Sequence, residues 1–158
     1  MEEIIQLNSG AKLSPHFTLG EMTKSSSHPE VYNIPSHEAI ANLKRVCGWL
    51  EVLRKRYNEK YGVGEEPVRI NSGYRSPQLN KAIHGNANSN HMTGCACDIR
   101  VSGMEQALRY AVILMDYADE SKQEFDELLI ERNRYGAIWL HFAVRPANNR
   151  RKILFINA

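Results

Sequence analysis

The chain has 158 residues, 42% hydrophobic and 24% charged, the balance of one globular domain over 1–158 rather than of a disordered or collagen-like polymer. Twenty basic against eighteen acidic side chains leave a formal charge of +2, which excludes nucleic acid or an anionic membrane as the default partner. Three cysteines, with Cys95 and Cys97 only two positions apart, argue against a secreted disulfide framework.

In chain order, Met1-Glu2-Glu3-Ile4-Ile5 starts acidic and lacks the basic flank and apolar run of a signal peptide. No stretch of the sequence reaches the roughly eighteen continuous apolar residues of a membrane span. The expectation is therefore synthesis in the cytoplasm. Thr23 to Pro35, with Ser25-Ser26-Ser27, reads as a loop leading into a helix. From Ser36, a suitable N-cap, the apolar residues Ile40, Leu43, Cys47, Leu50, Leu53 and Tyr57 recur every three or four positions, the period of one helical face. Pro67 to Ile70 is a short strand candidate, and Pro77 suits the first turn of a short helix through Ile83. His84 to Asn90 is rich in Gly, Asn, Ala and Ser and reads as irregular loop. Gly94 to Val101 alternates like a strand, and Ser102-Gly103-Met104-Glu105 reads as a capping box before a second long helix through Tyr117. Phe125 to Glu131, Ala137 to Val144 and Lys152 to Ile156 complete the strands. Helices and strands without regular βαβ alternation predict an α+β fold, a central antiparallel sheet flanked by helices.

The chemistry concentrates in Ser89-Asn90-His91-Met92-Thr93-Gly94-Cys95-Ala96-Cys97-Asp98. On a strand, Gly94, Ala96 and Asp98 share one face, so the carboxylate stands beside two very small side chains with room for an ion. Cys95 and Cys97 fall on the opposite, apolar side and read as small buried filler. His91 lies upstream, where a turn at Gly94 can bring its imidazole back over the Asp98 face. In Ile138-Trp139-Leu140-His141-Phe142-Ala143-Val144 the even positions build core, and His141 lies on the other face with Trp139 and Ala143. Two histidines and one carboxylate are a standard ligand set for catalytic zinc, leaving the fourth position to water. The remaining histidines, His16, His28, His37 and His84, lie in loops or near helix starts and read as surface residues.

Ser72-Gly73-Tyr74-Arg75-Ser76, then Ser-x-His-x-x-Gly-x-Ala-x-Asp ending at Asp98, then Trp139-x-His141, resembles the M15 family of zinc peptidases, whose metal site the hedgehog signalling domain shares. Phe17-Thr18-Leu19-Gly20-Glu21-Met22 is similar to the start of a branch often encoded by prophages. The resemblance spans about residues 13 to 144 and implies a hedgehog/DD-peptidase-like fold. It also implies Zn²⁺ held by His91, Asp98 and His141, and an arginine, Arg75, that binds the substrate carbonyl or the oxyanion. A lone arginine without that motif would read as a structural ion pair.

Several family members place the catalytic glutamate three residues before the second histidine, and here that position is Ile138. The hairpin offers a replacement. A three-residue loop, Arg134-Tyr135-Gly136, pairs Asn133 with Ala137, sets Glu131 opposite Trp139 and Leu129 opposite His141. Glu131 and Glu127 are then both diagonal neighbours of His141 on the metal face. The branch with a Phe-Asp-x-Leu-Ile-x-Glu segment favours Glu131 as the base. Ser89 and Asn90 are candidates for positioning the peptide, although loop capping is an equal reading.

The expected function is a zinc metallopeptidase, monomeric, cutting peptidoglycan stem peptides as a D-Ala-D-Ala carboxypeptidase or murein endopeptidase. Peptidoglycan lies outside the cytoplasmic membrane, so such an enzyme would act after lysis or non-classical release, as a phage or prophage lysin does. The alternative is a non-catalytic zinc module that binds peptide or cell wall. A basic binding patch of Arg145, Arg150, Arg151 and Lys152 is weaker, because such a cluster is usually a solvated tail.

Overall fold

A computed structural model describes residues 9–25 and 27–157, so the acidic start of the chain and Ser26 lie outside the described residues. The chain forms β1 (Lys12–Ser14), β2 (Phe17–Thr18), α1 (Leu19–Thr23), α2 (His37–Tyr61), β3 (Ile70–Ser72) and α3 (Pro77–Ala82). After a 3-10 turn at Asn90–Thr93 come β4 (Ala96–Arg100), α4 (Met104–Ser121), β5 (Glu127–Arg132), β6 (Ile138–Ala143) and β7 (Lys152–Asn157). β3 to β7 form a five-stranded sheet in the order β3-β4-β6-β5-β7.

The α+β expectation holds, with a refinement at one edge. β3, β4, β6 and β5 pair antiparallel, but β7 lies parallel to β5. Alternation along a strand reports which face is buried and says nothing about its neighbour's direction. The helices are also distributed unevenly. α2 and α4 bury Leu43, Trp49, Leu50, Tyr110 and Leu114 in one cluster with Cys97, Ile99, Leu128, Leu140 and Phe142 from the sheet. Trp49 stands edge-on to Tyr117 at 4.9 Å and tilts against Phe142 at 5.4 Å, locking both long helices to the same sheet face. The residues of opposite parity, Ala96, Asp98, Leu129 and His141 among them, are thereby left on the other face.

Most local signals have their expected outcome. Ser36 caps α2 by accepting from the Ala39 N–H, and Ser76 does the same for Leu79 ahead of Pro77. The capping box at Ser102 does not form: Gly103 is the N-cap of α4, without a side-chain cap bond. The Ser102 N–H instead donates to Gln106 Oε1, and Glu105 pairs with Arg109 one turn on. A capping box does form at Thr18 and Glu21, starting α1.

Candidate metal centre

Each element of the centre is aimed by a local feature. Gly94 adopts φ 78°, the left-handed region, and a Cβ there would collide with the Ala39 carbonyl oxygen. Only glycine lets the 3-10 turn reverse into β4 at this point, which is what carries His91 back over Asp98. Gly73 serves a second close approach, because a Cβ there would strike the Met22 carbonyl. That carbonyl accepts from the Tyr74 N–H at 2.7 Å. The Phe17 to Met22 segment thus supports the Ser72 to Ser76 turn, and the two recognisable motifs are parts of one structure.

The three sequence-derived ligands converge. Asp98 pairs with His141 across β4 and β6. Asp98 Oδ1 lies 3.3 Å from His91 Nε2 and 3.1 Å from His141 Nδ1, and one atom from each of the three residues lies within 4.8 Å of the others. Donors on a tetrahedral ion with bonds of about 2.0 Å sit about 3.3 Å apart, so these spacings fit one zinc. The distal ring nitrogens fix the tautomers. His91 Nδ1 is 2.6 Å from the Gly73 carbonyl oxygen, which only accepts, so this nitrogen carries the proton and Nε2 presents its lone pair to the centre. His141 Nε2 donates to Glu127 Oε1 at 2.9 Å, leaving Nδ1 free for the ion. The donor set and its outer partners therefore fit zinc.

The charges around this centre are strongly coupled. Burial alone would push the Asp98 carboxyl up, but the neighbouring imidazoles outweigh it and hold the group well below the usual range. Burial likewise opposes ionisation of Glu127, yet its hydrogen bonds from His141 and Asn90 and the His141 charge bring it to about 2. Glu131 behaves differently. Burial and the negative charge of Asp98 raise its pKa, with only partial relief from His141, Trp139 and His91. The Trp139 indole N–H is near enough to lower the Glu131 pKa but lies outside hydrogen-bond geometry, so Nε1 is a buried donor without a partner among the described residues.

The hairpin register matches the sequence reading: Leu129 opposes His141, Glu131 opposes Trp139, and the Asn133 N–H donates to Ala137 O at 3.0 Å. Gly136, at φ 87°, closes the turn. Both glutamates line the cavity of about 470 Å³ that opens above the ligands, but Glu127 is committed to His141 and Asn90. Arg75 lines it too, donating from one terminal nitrogen to Asp98 Oδ2 at 3.2 Å and from Nε to Ser72 Oγ at 3.2 Å. The arginine is thus both a structural partner of Asp98 and a residue with spare N–H groups at the cavity wall.

Two expected peptide contacts have other work. Ser89 Oγ caps the 3-10 turn by accepting from the His91 N–H at 3.1 Å. The Asn90 amide donates to Asp126 and Glu127 and accepts from Arg145 Nε. Its donors are used up, so Asn90 is a buried tie between the His91 turn and β5 rather than a free substrate contact. The Arg145 to Lys152 cluster also departs from a solvated tail. Arg150 makes a two-pronged bond to Asp126, whose side chain is 0% exposed, and Arg145 joins the same carboxylate at 3.2 Å. The sequence signal for this was Asp126 itself, an acid directly after the apolar Phe125 at the entry to β5.

A family model described as Peptidase M15 matches residues 15–128, well over half of the chain. The chain belongs to the M15 peptidase family. Among curated proteins, the zinc D-Ala-D-Ala carboxypeptidase of Streptomyces albus G is 28% identical over 97 residues, covering 61% of this chain and 36% of that protein. The alignment thus spans little more than a third of the relative's length. The residues matched to the family include Arg75, His91 and Asp98. Glu131 and His141 lie beyond the matched residues, so they rest on the register of the β5-β6 hairpin.

Proposed function

We propose that this zinc peptidase hydrolyses peptide bonds in bacterial peptidoglycan stems, with His91, Asp98 and His141 as ligands, Glu131 as the general base and Arg75 as the oxyanion partner. The observation that carries the reading is the division of labour between two glutamates on one sheet face. Glu127 is held by His141 and Asn90, while Glu131 is half-buried on the same face with a raised pKa. Bound zinc would acidify an attacking water and polarise the scissile carbonyl. Glu131 then accepts the water proton and passes it to the leaving amine, an exchange that a raised basicity favours. Arg75 fixes Asp98 through one N–H and offers others, in a rigid plane, to the oxygen that becomes negative. Asn90 and Ser89 hold the His91 turn in place throughout.

The name of the Streptomyces relative favours D-Ala-D-Ala carboxypeptidase activity. A murein endopeptidase would use the same residues with a differently shaped groove. Mass-spectrometric digestion of purified muropeptides separates the two by the product released. The expected result is cleavage by zinc-loaded protein, loss on chelation, recovery with zinc, and a fall of about 10²- to 10⁴-fold in Glu131→Gln. Undiminished cleavage by Glu131→Gln contradicts the base, and no cleavage by native protein leaves a zinc-containing binding module. Action on the wall after lysis or non-classical release, as a phage or prophage lysin, is part of the same proposal. It is supported by the similarity of Phe17 to Met22 to the prophage-associated branch, and is tested by wall lysis from outside intact cells.

A further inference from the structure

The metal face of the sheet is electrostatically lopsided along its strands. Glu131 lies at one end, and Glu127, four residues away on β5, lies roughly 13 Å off at the other. At the Glu127 end three cations line the same cavity as the ligands: Arg145, Arg150 and Lys152. Lys152 pairs in register with Glu127 across β5 and β7, and so shares its face. Arg145 is bonded only through Nε, to Asn90 and Asp126, which leaves both terminal nitrogens without a partner among the described residues. Arg150 uses Nε and one terminal nitrogen on Asp126, the latter also 3.5 Å from Glu127 Oε2, which leaves its other terminal nitrogen and the Lys152 ammonium unpaired among the described residues. The buried Asp126 carboxylate thus anchors two guanidinium groups while their outer donors remain at the cavity wall.

The geometry points to a carboxylate-binding subsite formed by Arg145, Arg150 and Lys152, which selects peptides carrying an anionic group one or two residues from the scissile carbonyl. The distance sets that range. Lys152 lies two strand positions, roughly 7 Å, from the Leu129-His141 level, and an extended peptide advances about 3.3 Å per residue. A planar fork and a point charge converging on one site suit a carboxylate better than a neutral amide. The inference rests on the peptidase reading above for its substrate. The carboxylate is either the peptide's C-terminus or the free carboxyl of an acidic residue within the stem.

The test uses zinc-loaded full-length protein and three synthetic substrates: a stem pentapeptide, its C-terminal amide, and its isoglutamine analogue. Native protein should show KM raised about tenfold for one of the two amidated peptides with kcat within twofold, and the peptide affected identifies the carboxylate. Lys152→Gln and Arg145→Gln should raise KM for the parent peptide and narrow its advantage over that amide. Equal KM for all three peptides, or a preference that survives in both variants, overturns the subsite. Arg145 also ties down Asn90, so zinc stoichiometry and thermal midpoint are measured for each variant. If Arg145→Gln loses either, Lys152→Gln, whose side chain has no partner to lose among the described residues, carries the comparison. If native protein turns over none of the peptides, the peptidase reading fails alone, and calorimetric Kd values decide the subsite. A tenfold weaker amide upholds it, while equal affinities or no binding overturn it.

Discussion

His141 is the residue on which the site turns, because its two nitrogens face two carboxylates with different duties. Nδ1 meets Asp98 within the ligand set and Nε2 donates to Glu127. A histidine whose distal nitrogen donates to a carboxylate is held in one tautomer and made a stronger ligand. Glu127→Gln should therefore weaken zinc binding by about 10- to 100-fold, read by competition with a chromophoric chelator. Glu131→Gln should leave zinc affinity nearly unchanged while removing turnover. Equal effects of the two substitutions on zinc affinity would contradict the division between them. The ligands were legible because His91, Asp98 and His141 lie on strand faces or beside a glycine turn whose parity could be counted. Asn90 was not. Its partners Asp126 and Arg145 are 36 and 55 residues away, and no local pattern reports a buried amide that ties three segments together.

At the level of elements, the β5-β6 hairpin could be read to the residue because its turn type fixes the pairing. Gly136 takes the left-handed position, Asn133 meets Ala137, and every cross-strand partner follows. β7 could not be read as fully. Its six residues are short, largely exposed and joined by an irregular connection, so nothing in their alternation distinguishes parallel from antiparallel pairing. The Ser102 box failed for a related reason: the same polar residues had other partners within one turn, and Gln106 took the Ser102 N–H. The turn between the 3-10 segment and β4 makes a prediction of its own. Gly94→Ala forces a side chain into φ 78° and against the Ala39 carbonyl of α2. It should cost about 1 to 3 kcal/mol in urea unfolding and lower zinc affinity by displacing His91. A variant as stable as native would mean that this turn has another conformation in solution.

Across the whole molecule, the sheet separates two environments: α2 and α4 seal one face, and the other carries a charged cavity. Asp126 anchors the charged side. It is fully buried, and although burial opposes ionisation, bonds from Arg150 and Asn90 and the charge of Arg145 bring its carboxyl to about 2 from the usual 3.8. A carboxyl depressed on folding stabilises the protein above its unfolded pKa, and that contribution fades as pH falls from about 4 towards 2. The shift corresponds to about 2 kcal/mol. Native protein should therefore exceed Asp126→Asn in stability at pH 6, and the gap should narrow by about two-thirds of that amount at pH 2.5, both followed by urea unfolding of metal-free protein. A gap unchanged with pH would show that the carboxylate's charge contributes nothing.

The most direct measurement is an anomalous-difference map at the zinc edge from crystals of zinc-loaded protein. It should show one strong peak per chain about 2.0 to 2.2 Å from His91 Nε2, an Asp98 oxygen and His141 Nδ1, with Glu131 facing the peak but unbound. A peak elsewhere, or one from which either histidine is turned away, would contradict the site and the hydrolytic chemistry derived from it.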